Sequence, residues 1–205
     1  MFLKSIGLLL LLSTFVSGVH ADDALSKSKG KKASTPLTVS YRWYDGDSEH
    51  TVWLNPDLVA EFSTPKVDKS AVKRAYPNAV PERGSRGLTR IWRLGGIGAS
   101  EGLQKTRMMS PDGMYSPVFN DGGTRKRALP GGIIVYFKPD WTASQISAWT
   151  ASQGLSIMNK LEIGLNIYVL KTAPGLVALE TANRIHKSGD VISAQPNWWV
   201  EVSTR

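Results

Sequence analysis

The chain contains no cysteine, and its 205 residues include three histidines. The lack of cysteine excludes a disulfide framework, a thiolate metal site and a lipid anchor on cysteine. His50 and His186 lie far apart in sequence, and the acidic residues around Gly46 do not have the full spacing of a calcium-binding loop. We therefore predict neither a metal site nor a cofactor.

Long apolar runs are also missing, apart from a short one at the N-terminus. Lys4 precedes an apolar run from Ile6 to Val16, and small residues end this segment at Ala21. This pattern predicts a secretory signal peptide over residues 1–21, cleaved after Ala21. The run is shorter than the roughly 20 residues that a spanning helix needs. We expect a secreted or periplasmic protein without a membrane span.

Basic residues exceed acidic ones, giving a formal net charge of +8. Residues 22–38 are rich in lysine, serine and glycine, which predicts a flexible basic linker. Two further basic clusters lie at Arg83 to Arg93 and at Arg125 to Arg127. These clusters lack the interleaved aromatic residues of a nucleic-acid stacking surface. We therefore predict no nucleic-acid partner and attribute the charge to solubility and to attraction of a protein partner.

Residues 131–205 have the pattern strand, helix, strand, strand, helix, strand. Ile133, Val135 and Phe137 alternate with Ile134, Tyr136 and Lys138. This two-residue period, bounded by glycines and Pro139, predicts a half-buried strand. Thr142 and Gln145 have the spacing of a capping box that would begin the first helix. Two apolar runs separated at Gly164 predict the middle strands, and an amphipathic pattern after Pro174 predicts the second helix. A last strand, interrupted at Pro196, would run to Val202.

The first half of the chain repeats this pattern weakly. Residues 39–120 begin with a predicted hairpin around Asp45-Gly46-Asp47. The segment from Leu58 to Phe62 is similar to that from Ile133 to Phe137, and Ser116-Pro117-Val118-Phe119 is similar to Gln195-Pro196-Asn197-Trp198. These matches predict a degenerate duplication. We expect two α+β modules, joined by a linker over residues 121–130.

The C-terminal half resembles the propeptides of subtilisin-like serine proteases (subtilases) and the stand-alone inhibitors related to them. The resemblance rests on the strand Ile133 to Lys138, on Gly154-Leu155, and on the segment from Val191 to Asn197. The first half is similar to the beginning of the longer prodomains of some bacterial subtilases. The resemblance implies a ferredoxin-like fold, in which an antiparallel sheet carries two helices on one face.

The same resemblance implies a function. Related propeptides dock the uncovered sheet face on the protease and place their C-terminal residues in its active-site cleft, like a bound product. The corresponding face would present Ile134, Tyr136 and Tyr168. The corresponding tail would be Val200, Glu201, Val202, Ser203, Thr204 and Arg205. Because the sequence carries no protease domain after this tail, we expect a non-catalytic inhibitor or folding chaperone of a separate, secreted subtilase.

Two alternatives remain open at this point. Gly98-Ala99-Ser100-Glu101-Gly102 matches the nucleophile elbow of serine hydrolases, with Asp140 and His186 following in the required order. The seven tryptophans, among them Trp43, Trp53, Trp198 and Trp199, could instead line a carbohydrate-binding or envelope-binding surface. A hydrolase would lose activity on Ser100→Ala, whereas a sugar-binding protein would form no protease complex.

Overall fold

The computed structural model of the chain describes residues 39–62, 69–82, 87–123 and 125–202. The predicted signal peptide and basic linker lie outside these residues. All of the described residues belong to one compact unit. In the described part no helix is long and apolar enough to cross a membrane.

The described residues contain eleven strands and four helices. The strands are β1 (Ser40–Asp45), β2 (Ser48–Phe62), β3 (Val80–Pro81), β4 (Arg90–Arg93), β5 (Met114–Asn120), β6 (Lys126–Ala128), β7 (Ile133–Tyr136), β8 (Ile157–Lys160), β9 (Ile167–Leu170), β10 (Ser193–Pro196) and β11 (Trp199–Val200). The helices are α1 (Ala71–Ala75), α2 (Ala99–Met109), α3 (Ala143–Ser152) and α4 (Leu176–Ser188). The α+β class predicted from the sequence is confirmed.

The C-terminal half forms a four-stranded antiparallel sheet in the order β10-β7-β9-β8. Helices α3 and α4 cover one face of it, because the inward side chains of β7 pack with those of the two helices. This core contains Ile133, Val135, Phe137, Ile146, Tyr168, Leu170, Ala178, Ala182, Ile185, Val191 and Ala194. The predicted order of elements is therefore the observed one.

The predicted capping box begins α3. The Thr142 hydroxyl accepts a hydrogen bond from the Gln145 amide, and the Gln145 side chain accepts one from the Thr142 amide at 2.7 Å. Helix α4 buries Ala178, Leu179, Ala182 and Ile185, which is the amphipathic stripe that the sequence predicted. Its first residue is Leu176 rather than Pro174, because Gly175 forms the N-cap with φ of 86°.

The first half forms most of a seven-stranded sheet in the order β11-β6-β5-β2-β4-β3, with β1 paired to β2 in the predicted hairpin. The elements from β2 to β5 follow one another as β2, α1, β3, β4, α2 and β5. This is again strand, helix, strand, strand, helix, strand. We call the segment from β2 to β5 repeat 1 and the segment from β7 to β10 repeat 2.

The two repeats have the same strand order. In repeat 1 the fourth, first, third and second strands are neighbours as β5-β2-β4-β3, and in repeat 2 they are neighbours as β10-β7-β9-β8. Val59 pairs with Pro117, and Ile133 pairs with Pro196. The sequence comparison aligned Leu58 with Ile133. In the structure the equivalent of Ile133 is Val59, because both side chains face the helices of their own repeat, so the alignment of the first strands moves by one residue. A duplication accounts for both the shared order and the shared proline position.

The predicted linker over residues 121–130 needs a correction. Residues 126–128 form β6, which pairs with β5 on one side and with β11 on the other. Strand β11 therefore continues the sheet of repeat 1, although it follows repeat 2 in sequence. The predicted last strand is accordingly two strands in two different sheets, separated after Pro196.

Candidate functional site

The face of repeat 2 that points away from α3 and α4 is only partly exposed. Ile134 and Tyr136 are half-buried on β7, and Gln195, opposite Ile134 on β10, is half-buried as well. On β9 the corresponding side chains are more enclosed, with Ile167 5% and Val169 8% exposed. We call Ile134, Tyr136 and Gln195 the outer face. Gln195 was not among the residues predicted for this face, although its place two residues after Ser193 follows from the period of a strand.

Tyr168 does not belong to the outer face, and the prediction that it points outward is wrong. It pairs with Val135, so both side chains lie on the helix side of the sheet. Its ring centroid lies 5.7 Å from that of Phe137, and the residue is 8% exposed. The antiparallel register between β7 and β9 decides this orientation.

The outer face of repeat 2 differs from the equivalent face of repeat 1. In repeat 1 the side chains on this face are buried and form a core cluster of their own. The cluster contains Leu58, Ala60, Phe62, Ile91, Val118 and Ala128, with Met114 and Trp199 packed against it. The two repeats have the same strand order, yet this face is buried in repeat 1 and partly exposed in repeat 2.

A cavity of about 370 Å³ adjoins the outer face at Ile134 and Gln195. Its far side carries Trp43, whose ring stacks on His50 with the centroids 4.7 Å apart. The Arg127 guanidinium lies 5.6 Å from the Trp43 ring and forms an ion pair with Asp121 at 3.3 Å. The outer face therefore continues into a surface that combines apolar, aromatic and cationic groups.

The predicted tail is not free at its beginning. Val200 pairs with Arg127 in β11, and the Glu201 amide donates a hydrogen bond of 2.9 Å to the Lys126 carbonyl. The Glu201 carboxylate forms an ion pair with Lys126 Nζ at 3.1 Å. The prediction that Val200 and Glu201 form a free peptide is therefore wrong. Val202 is 65% exposed, and residues 203–205 lie outside the described part.

The candidate nucleophile Ser100 lies in the first turn of α2, after the N-cap Gly98. It lines a cavity of about 530 Å³, and none of the residues lining that cavity is a histidine or a carboxylate. His186 stacks on Tyr44 with ring centroids 4.3 Å apart. Near Ser100, burial raises the pKa of Tyr76, and the charge of Glu101 raises it further. Among the described residues, no histidine or carboxylate lines the cavity at Ser100.

The tryptophans serve mainly as packing residues. Trp43 is 6% exposed and belongs to a core cluster against which Trp198 packs, with their ring centroids 5.6 Å apart. Trp199 packs against the separate core cluster of repeat 1. Trp43 therefore offers almost no ring surface to a sugar, whereas Trp53, Trp198 and Trp199 are half-buried.

The structure brings together no group of three or more histidine, aspartate or glutamate side chains among the described residues that could hold a metal ion. Asp45 and Asp47 lie in and beside the turn between β1 and β2, with Gly46 at φ of 55°. These acidic residues are part of a tight hairpin.

Comparison with known proteins gives no relative. No family model, no curated protein and no solved structure matches the chain.

Proposed function

We propose that this protein is a non-catalytic, propeptide-like inhibitor of a secreted subtilisin-like serine protease, which it binds through the outer face of repeat 2. Folding assistance to the same protease would use the same surface. The supporting observation is the partial exposure of Ile134, Tyr136 and Gln195 on a sheet whose other face is covered by two helices. The strand, helix, strand, strand, helix, strand order is the ferredoxin-like order that the resemblance implies.

The composition of the outer face suits a protein partner. Tyr136 offers an aromatic ring with a polar end, which is a side-chain type enriched in binding hot spots. Ile134 adds apolar area, and Arg127 in the adjoining cavity adds a cation. An apolar centre bordered by polar groups is the usual anatomy of a protein interface. Repeat 1 would have a structural role and would not contact the protease through the equivalent face, since that face is buried.

The first test replaces one side chain of the outer face. We expect Tyr136→Ala to weaken inhibition of a purified subtilisin-like protease about 30-fold, because an interface hot spot contributes about 2 kcal/mol. Val80→Ala is the control, since Val80 is an apolar residue of repeat 1 that is 52% exposed. It should leave the inhibition constant unchanged. Equal inhibition by Tyr136→Ala and the parent protein would contradict docking through this face.

The second test concerns the end of the chain. Deleting residues 200–205 would also remove the pairing of β11 with β6 and the Glu201–Lys126 ion pair, so a loss of inhibition could reflect a disturbed fold. Deleting residues 202–205 retains those contacts. If these residues enter the protease cleft, we expect this shorter deletion to weaken inhibition about tenfold or more while the melting temperature stays the same. Unchanged inhibition would show that the outer face acts without them.

A further inference from the structure

A second cavity system lies away from the outer face, between α2, the beginning of α4 and the first hairpin. The cavity of about 530 Å³ is lined by apolar side chains from all three, among them Leu54, Leu103 and Val177. A neighbouring cavity of about 740 Å³ shares Pro174 and Val177 with it. We call the two cavities together the apolar groove. Each volume lies within the range of about 300–1,000 Å³ that is typical of small-molecule sites.

Among the described residues, the side chains that line the apolar groove carry positive charge and no negative charge. Arg107 lines the first cavity and Lys171 the second, while neither lining includes an aspartate or a glutamate. One Arg107 Nη donates a hydrogen bond of 3.3 Å to the Tyr115 carbonyl. Among the described residues Arg107 forms no ion pair, so most of its donors remain available. An anionic group at this position would be complementary to the guanidinium.

Methionines are concentrated at the groove. The chain has five, and apart from Met1 they are Met108, Met109, Met114 and Met158. Met108 lines the first cavity and is 78% exposed, while Met114 and Met158 line the second. Methionine side chains are flexible and polarizable, so they adapt to ligands of irregular shape. An exposed apolar surface of this kind is typical of a binding site.

We propose that the apolar groove binds a free long-chain carboxylate, that is, a fatty acid. The carboxylate pairs with Arg107, and the acyl chain lies against Leu103 and Val177 and continues past Pro174 into the second cavity. One guanidinium in an apolar lining is complementary to a ligand with one carboxylate and one acyl chain. A membrane surface would instead be attracted by a cluster of several cations. The groove is separate from the outer face, so this proposal does not depend on protease inhibition.

The test measures binding to the full chain below the micelle-forming concentration of each ligand. The ligands are oleate, oleyl alcohol with the same chain but no charge, and octanoate with the same charge but a short chain. We expect saturable binding of one oleate, with oleyl alcohol and octanoate each binding at least tenfold more weakly. Vesicles of phosphatidylcholine with and without phosphatidylglycerol test the membrane alternative, and we expect no binding to either.

Variants locate the site. Arg107→Gln should weaken oleate binding about tenfold, since it removes a charge-assisted hydrogen bond. The matched control is Arg74→Gln, because Arg74 also donates to a backbone carbonyl, that of Lys69 at 2.9 Å, but lies outside the groove. Val177→Asp is a second variant, which tests the site even if Arg107→Gln disturbs folding. Val177 is 51% exposed, and an aspartate there should weaken oleate binding by repelling the carboxylate. Equal affinity for oleate and oleyl alcohol, undiminished binding by both groove variants, or binding to vesicles alone would overturn the proposal.

Discussion

Replacing Glu61 by valine is expected to lower the free energy of unfolding by about 3 kcal/mol or more, through the loss of one buried hydrogen-bonding group. Glu61 lies on β2, faces the helices of repeat 1 and is 2% exposed. Its carboxylate accepts hydrogen bonds from the Ser70 hydroxyl, from the Ala71 amide at 2.8 Å and from the Trp92 indole at 3.0 Å. Valine would leave these three buried donors without this partner.

The measurement is thermal and urea unfolding of the full chain. In a domain of this size a loss of about 3 kcal/mol lowers the melting temperature by about 10 °C. Glu162→Val is the control, because Glu162 is exposed in the loop between β8 and β9, and it should change stability by less than about 0.5 kcal/mol. A Glu61→Val variant as stable as the control would show that these hydrogen bonds contribute nothing to the fold.

Repeat 2 suggests a sharper form of this experiment. Val59 pairs with Trp92, and its equivalent Ile133 pairs with Leu170, so Trp92 corresponds to Leu170. Glu61, two residues after Val59, corresponds in the same way to Val135. Repeat 2 therefore has two apolar residues where repeat 1 has Glu61 and Trp92. The double variant Glu61→Val, Trp92→Leu removes the indole donor together with its acceptor. We expect it to be about 1–2 kcal/mol more stable than the sum of the single effects predicts. Strict additivity would contradict the coupling of these two residues.

Replacing Phe137 by alanine is expected to destabilise the protein by about 4 kcal/mol, which is the usual cost of removing a buried aromatic side chain. Phe137 is 1% exposed and follows β7 directly. Its ring centroid lies 5.2 Å from that of Trp149 and 5.7 Å from that of Trp141. The loss of this ring would leave a cavity between the sheet and α3.

The control and the readout follow from the same packing. Phe137→Leu retains most of the apolar volume and should cost less than about 1.5 kcal/mol. Tryptophan fluorescence reports the site directly, because Trp141 and Trp149 lie beside the ring. If Phe137→Ala unfolds at the same denaturant concentration as Phe137→Leu, then repeat 2 does not depend on this cluster.

Local patterns in the sequence predicted those parts of the fold that depend on local chemistry. The capping box at Thr142, the stripe along α4 and the hairpin at Gly46 are each specified within a few residues, and the structure contains all three. The internal similarity was visible because the matching segments fall on the first and fourth strands of each repeat, and these two strands are hydrogen-bonded neighbours in both repeats.

The sequence failed where distant segments decide the outcome. The orientation of Tyr168 depends on the register between β7 and β9, which no short pattern specifies. The charged segment at Lys126 predicted a loop, yet it forms β6, which pairs with β5 on one side and with β11 on the other. Strand β11 begins at Trp199, 71 residues after Ala128, so no local pattern could indicate this pairing. The apolar groove likewise combines three segments that are distant in sequence, so it could be located only in the folded chain.

The most direct test of the proposed function is site-specific photo-crosslinking between this protein and a subtilisin-like protease. Benzoylphenylalanine would replace Tyr136 on the outer face, or Val80 on repeat 1 as the control, in otherwise identical chains. The account predicts a one-to-one adduct from position 136 and none from position 80. An adduct from position 80 alone, or none from position 136 at saturating protease, would contradict it.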